Sequence, residues 1–393
     1  MSPPVTVKYN VFLKDVARLA FTAFGGPQVH IAMFLDLFVE KRKYLDEKDL
    51  IELNALCNIL PGPTSTQTIT AIGFRLGGPN LAYLTLLVWI LPAVTVMTIA
   101  GIFISLTQEQ SASFEWTRFI QPMAVGFVAY AALTISKKVV TTRTAFVIML
   151  LAAIVSYFFR NPFSFPLMIL AGGAFTAFKY KSQPIEDKTP IKINWSNFLL
   201  WAGVFIGAAA LGAVTKFKTA LLFENFYRNG SLIFGGGQVL IPYLYTEFVD
   251  FKDYLTSQEF LSGFAMVQAL PGPVFSFSAY IGALSSREFG IGGEIAGAII
   301  ASVGIFLPGT FLIFFVIRFW ESLKRFRIIR ASLEGISAAS AGMVAAAAVL
   351  MYLPIDQSVL NVAIRIATFA LLTWTKLPSP VIILTGILLG ILL

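Results

Sequence analysis

Phe24-Gly25-Gly26-Pro27-Gln28-Val29 is answered later in the same chain by Phe234-Gly235-Gly236-Gly237-Gln238-Val239, and Leu60-Pro61-Gly62-Pro63 by Leu270-Pro271-Gly272-Pro273. Both pairs lie 210 residues apart, so the spacing inside each copy is kept along with the residues. Two Gly and Pro breaks, written once in each half of an apolar chain, are the pattern expected of a transporter built from internal repeats.

Composition places the chain in lipid. Of its 393 residues, 57% are hydrophobic and 13% charged, against about 25% charged in soluble domains. Apolar runs such as Leu81–Leu106, Trp195–Val214 and Ile295–Ile317 are long enough to cross a bilayer core, which takes about 20 residues. Met1–Asn10 is polar, without the apolar core and small-residue cleavage site of a signal peptide, and is read as a mature end. The net charge of +8 comes from basic residues at the ends of apolar runs, as the positive-inside rule places them. No basic stripe is interleaved with exposed aromatics, which argues against nucleic-acid binding. One cysteine, Cys57, and one histidine, His30, leave no intrachain disulfide and no basis for a thiolate or imidazole metal cluster. No cofactor and no metal are expected.

Each half divides into eight segments. In the first they are 11–24, 28–41, 46–60, 64–77, 79–106, 118–137, 144–160 and 163–180; in the second, 219–234, 238–251, 257–270, 274–287, 293–317, 331–351, 358–375 and 379–393. Later landmarks match as well: Leu91-Pro92 with Leu307-Pro308, Gly126 with Gly335, Pro166 with Pro380 and Gly172 with Gly386. The first four segments of each half are too short to span, so they read as broken or re-entrant half-helices, tolerated only where buried in protein or facing water. The expected fold is an all-α polytopic membrane protein. A first repeat over 1–180 is followed by a polar loop and linking transmembrane helix over 181–217, then by a second repeat over 218–393.

The linking helix turns the second copy over if each repeat crosses an even number of times. Loop charges are an independent test. Thr107–Trp116 holds Glu109 and Glu115 and no Lys or Arg, while its counterpart 318–330 holds five basic residues. Lys137–Arg143 holds three, and Tyr352–Ser358 none. Equivalent loops of opposite charge character are the mark of inverted repeats. Lys216, Lys218 and Arg228 run against the pattern. The expected placement is the cell inner (plasma) membrane, with the N-terminus cytoplasmic and the C-terminus outside.

A helix start presents unpaired N–H groups and the positive end of its dipole. Gly25, Gly26 and Pro27, like Pro61, Gly62 and Pro63, each end one short helix and open another, and proline suits the first turn of the new one. Gln28, Thr64, Ser65, Thr66 and Gln67 add amides and hydroxyls at these starts, and Asn58 and Gln268 stand at matched places ahead of Pro61 and Pro271. The second copy adds Gly235, Gly236, Gly237, Gln238, Pro271, Gly272, Pro273, Ser276 and Ser278. Converging near mid-membrane, such starts make a pocket of donors without a fixed full charge, suited to a tetrahedral oxyanion. Gly and Pro in membrane helices also serve close packing and kinks with no ligand. Four breaks in two registered pairs, each beside hydroxyls or amides, favour the pocket. Arg75 can add positive charge there or snorkel to the interface. His30 can be a donor or proton carrier, although its counterpart is Leu240.

At these residues the chain resembles the chromate ion transporter family in its long, two-domain form. The resemblance is carried by Phe24-Gly25-Gly26-Pro27 with His30-Ile31-Ala32-Met33-Phe34, by Leu60 to Gln67, and by the second-half FGGGQV and LPGP. It implies an inner-membrane exporter of chromate that confers resistance, with two homologous halves of opposite orientation. Where Val274-Phe275 replaces Thr64-Ser65 the hydroxyl cluster is lost, so the first copy is expected to be the richer donor side. The partners expected are the oxyanion and the bilayer, with a homodimer left open. Sulfate, molybdate or an organic acid is the alternative cargo. An enzyme is not expected, since no carboxylate pair or activated nucleophile lies in the breaks.

Overall fold

In the computed structural model, residues 7–109, 117–182, 193–323, 326–375 and 377–392 are described. Residues 110–116, 183–192 and 324–325 and Lys376, which carry part of the charge pattern, lie outside them. Every regular element among the described residues is helical. The first half runs α1 (Tyr9–Thr22), α2 (Pro27–Phe34), α3 (Glu47–Ile59), α4 (Thr64–Glu109), α5 (Ile120–Val139), α6 (Arg143–Phe158) and α7 (Ser164–Ala177). After α8 (Ser196–Thr215) come α9 (Lys218–Leu232), α10 (Gly237–Tyr245), α11 (Ser257–Gln268), α12 (Phe277–Ser285) and α13 (Gly290–Val316). The four-residue α14 (Trp320–Leu323), then α15 (Arg327–Tyr352), α16 (Val359–Trp374) and α17 (Ser379–Leu392), complete the order. Among the described residues, four helices are long and apolar enough to cross a membrane: the stretches Thr64–Thr107, Ser196–Thr215, Arg287–Val316 and Arg327–Tyr352.

α8 shows why the surrounding medium is lipid. It is apolar on every face, yet only Gly212 among its residues is buried, and Leu199, Ile206 and Val214 are largely bare. A helix that is hydrophobic all round and uncovered by protein is stable only against acyl chains. The protein is an all-α polytopic membrane protein.

The backbone repeats as closely as the residues do. φ is 97° at Gly25 and 98° at Gly235, 82° at Gly26 and 83° at Gly236, 116° at Gly62 and 102° at Gly272. Lys43 and Asp253, which share no side-chain chemistry, both take left-handed φ values of 54° and 52°. α2 and α10 each loosen into a π-helical turn, Leu35–Lys41 and Thr246–Phe251. Asp46 and Thr256 cap the helices that follow by accepting from Asp49 N and Glu259 N. α4 is one helix by hydrogen bonding but is broken at Gly77 and Gly78, the boundary the sequence spacing marks.

The chain forms two compact units, and each draws on both halves. One holds Met1–Leu106, Ile193–Leu232 and Leu270–Arg318; the other holds Thr107–Lys192, Ile233–Ala269 and Phe319–Leu393. Within the first, the packing is reciprocal. A methyl group on Gly62 would come within 3.6 Å of Gly309 Cα, and one on Gly272 within 3.2 Å of Ala93 Cβ. Gly309 follows Leu307-Pro308 just as Ala93 follows Leu91-Pro92, so each Pro-Gly-Pro loop rests on the proline-bearing helix of the other copy. The second unit has the same character. Gly172 of α7 abuts the carbonyl of Gly335 on α15, while Gly386 of α17 abuts Ile120 on α5. Each copy's long helix thus packs on the last helix of the other.

Candidate functional site

The site grows from the loop between α3 and α4. α3 stops at Leu60, which is extended (φ −82°, ψ 149°), and Pro61, Gly62 and Pro63 carry the chain to Thr64, where α4 begins. Gln67 fastens this turn twice. Its backbone N–H donates to Pro63 O at 2.8 Å, and its side-chain Nε2 reaches back to Pro61 O at 2.7 Å. Residues 61–70 are all buried. Thr64, Ser65 and Thr66 occupy the first turn of α4, where backbone N–H groups have no carbonyl within the helix to donate to. Gln67 Oε1 has no hydrogen-bond partner among the described residues, although Gln67 is only 2% exposed. Leaving such an acceptor unsatisfied costs about 1–3 kcal/mol.

His30 joins this loop to two others. α2 opens at Pro27 behind Gly26, with no side chain capping it, and His30 lies one turn in. Ala23 O can only accept, so Nε2 of the neutral imidazole carries the proton and donates to it at 3.1 Å. Nδ1 is then the acceptor, and it takes the Ser65 hydroxyl at 3.0 Å. The same Ala23 carbonyl also accepts the N–H of Gly272, at 2.9 Å. Three of the four breaks are therefore tied at one point: the end of α1 at the first Gly-Gly break, the start of α4 and the second-copy Pro-Gly-Pro loop. Trp89 closes the wall, its Nε1 donating to Thr66 Oγ1 at 3.1 Å and its ring set at 5.3 Å, nearly perpendicular, to His30. Beyond the second-copy loop, the hydroxyls of Ser276 and Ser278, both buried, have no partner among the described residues.

The other expected site residues divide by place. Gly25, Pro27 and Gln28 are exposed and Gly26 is half-buried. Asn58 is exposed on α3 and spends its Nδ2 on Asn54 O, at 2.9 Å in its own helix. Arg75 does not bring a free charge: it pairs with Asp49 at 2.6 Å, both groups being nearly out of solvent. Pro271 is half-buried and Pro273 buried in the unit of His30. Gly235, Gly236, Gly237 and Gln238 lie in the second unit with Gln268. Their backbone repeats the first copy; the side chain of Gln238 is outside the described residues. Among the described polar groups gathered at the three tied breaks, none carries an unpaired ionic charge, and hydroxyls and helix-start N–H groups remain.

Sequence reasoning missed several members. Ala23 acts through its carbonyl, which no residue type announces. Gly309 was signalled by the repeated Leu-Pro pair beside it. Trp89 carried no signal beyond its place in an apolar run. Outside the membrane-spanning segments, Asp15 accepts from Arg42 Nη2 and from the Tyr44 hydroxyl, each at 2.7 Å. Burial, with its hydrogen bond to Asp15, pushes the Tyr44 hydroxyl up to about 12. Arg228, read from sequence as a loop charge, is instead buried within α9 and paired with Glu224 at 2.8 Å, and Lys218 pairs with Glu288 at 3.0 Å. Burying Arg228 removes it from the loop charges that ran against the pattern.

The family described as Chromate transporter matches residues 11–177 and again residues 220–391. The chain belongs to the chromate transporter family. Several curated relatives match over nearly their whole length. An uncharacterised transporter of Methanocaldococcus jannaschii is 28% identical over 98% of this chain and 94% of its own. A chromate transport protein of Pseudomonas aeruginosa is 23% identical over 98% and 93%, and one of Cupriavidus metallidurans is 23% identical over 95% and 90%. No solved structure matches. Membership in the chromate transporter family makes this chain a membrane transporter rather than an enzyme.

Proposed function

We propose that the protein exports chromate from the cytoplasm and so confers resistance, by alternating access around the oxyanion. The reading is carried by the three helix breaks tied at His30 and Ala23 O. A dianion stripped of water needs many donors in place of its hydration shell, and helix starts with neighbouring hydroxyls supply them without trapping the ion on a fixed charge. Thr64, Ser65 and Thr66 at the start of α4, with the buried Ser276 hydroxyl of the second copy, are the proposed contacts. Direction follows from the membrane potential. Each charge moved through 100 mV is worth about 2.3 kcal/mol, so expelling a dianion from a negative interior gains about twice that and needs no coupled ion.

In everted membrane vesicles, whose cytoplasmic face is outward, chromate is expected to accumulate inside when the potential is set to favour anion exit. Sulfate should compete, since N–H and O–H donors read charge and size rather than the central atom. Absence of chromate uptake by correctly inserted protein would overturn the reading, and uptake of sulfate or molybdate alone would reassign the cargo.

The same proposal places the protein in the inner membrane as two inverted repeats, 1–180 and 218–393, joined by 181–217. The reciprocal packing supports it: a two-fold axis lying in the membrane plane is the relation that inversion requires. A C-terminal reporter is expected to respond on the outer side and an N-terminal one in the cytoplasm. Two cytoplasmic ends would leave the repeats parallel.

A further inference from the structure

α6 and α7 form a hairpin whose outer face holds a groove of about 460 Å³, within the range of small-molecule sites, about 300–1,000 Å³. Its walls are Val147, Ile148, Leu151, Met168, Ala171 and Phe175, almost without polar surface. Val147, Leu151 and Phe175 are each more than half exposed, so the groove opens sideways. One end differs from the rest. Arg143 and Thr144 line it, and the Lys179 ammonium, returning from the far end of the hairpin, donates to Thr144 Oγ1. Arg143 makes no ion pair among the described residues and sits in the first turn of α6, whose dipole adds positive potential. At the same corner Glu334 of α15 accepts from Thr142 Oγ1.

We propose that this groove is a binding site for one anionic phospholipid, an acyl chain lying along Val147, Leu151 and Phe175 and the phosphate meeting Arg143 and Lys179. An apolar channel open toward lipid takes a chain in any case. The basic mouth selects the headgroup, because the Arg143 guanidinium at a helix start, without an ion pair among the described residues, holds a phosphate well. The inference rests on the chain's place in the membrane and not on what it transports.

Native mass spectrometry of the full chain in mild detergent tests it. Phosphatidylglycerol is expected to be retained about fivefold over phosphatidylcholine. In Arg143→Gln that ratio should fall to near one. In Ala171→Phe, which fills the groove from an exposed position, both lipids should be lost, with melting in lipid-free detergent unchanged; Val147→Trp is the second groove-filling variant. No lipid preference in the unaltered chain would overturn the proposal, as would an undiminished preference in Arg143→Gln or full retention in both groove-filling variants. Displacement of the phospholipid by millimolar inorganic phosphate would do the same, by showing an ion site without a chain. Chromate flux enters none of these readouts, so the lipid site and the transport reading fail separately.

Discussion

Gly62→Val is expected to lower anion flux about 100-fold, the equivalent of about 3 kcal/mol, while the protein still inserts in normal amount. Two effects combine. At φ of 116° a β-branched residue sits in backbone territory that costs about 1–3 kcal/mol. Its Cβ would also come within 2.9 Å of Gln67 Nε2, the atom that closes the Pro-Gly-Pro turn onto Pro61 O. That amide also lies close against Gly309, where an added Cβ would stand 2.7 Å from it. Gly309→Ala should therefore damage the same amide from the opposite wall, more mildly because its helical backbone suits alanine. Gly203→Val on α8, where nothing lies within 4 Å, is the matched control and should transport normally. Uptake by everted vesicles, normalised to immunoblotted protein, measures all three. Flux above about a tenth of normal in Gly62→Val would remove the turn from the mechanism.

His30→Ala should cost about 2–4 kcal/mol of stability and most of the flux. Two buried hydrogen bonds vanish, at about 1 kcal/mol each, and the Ser65 hydroxyl and Trp89 edge are left facing a void. Gly272 N keeps its bond to Ala23 O, but nothing then ties the start of α4 to that point. His30→Gln separates a clip from a proton carrier. A glutamine amide both donates and accepts, so it should recover much of the stability and flux if His30 holds the breaks together. It cannot carry a proton through the cycle. Detergent melting curves and the pH profile of vesicle flux read the two roles apart. A His30→Ala protein as stable and active as the unaltered chain would sink both.

Much of the fold was legible because its signals are local. Gly25, Gly62 and Gly78 mark turns of positive φ that few other residues accept, and Pro27 and Pro63 mark helix starts, so segment boundaries fell within a few residues of the helices, apart from the four-residue α14, which had no segment of its own. What was illegible depends on distance through the fold. The pairing of Arg75 with Asp49 joins helices separated by a loop, and its charge looked available until its partner was known. The composition of the two units is likewise a matter of which faces meet: α15 against α6 and α7, α5 against α16 and α17, a choice that apolar faces of similar composition do not spell out. Arg228 and Glu224 sit one turn apart, a spacing that announces a pair. Their burial does not show in the sequence, because nothing there says that α9 lies beneath α13 rather than at the surface.

The exchange of helices between the two halves also sets an order of events at synthesis. α5 to α7 enter the membrane with the faces that will receive α15 to α17 still bare, and their partners lie about 200 residues downstream. At about 5–20 residues per second, that wait lasts roughly 10–40 seconds. During it the small-residue surfaces around Gly126 and Gly172 stand open to any apolar helix nearby, including those of another nascent chain. Lipid packed against these faces has to be expelled before the second unit closes, so the second unit cannot close before the ribosome has delivered α15 to α17.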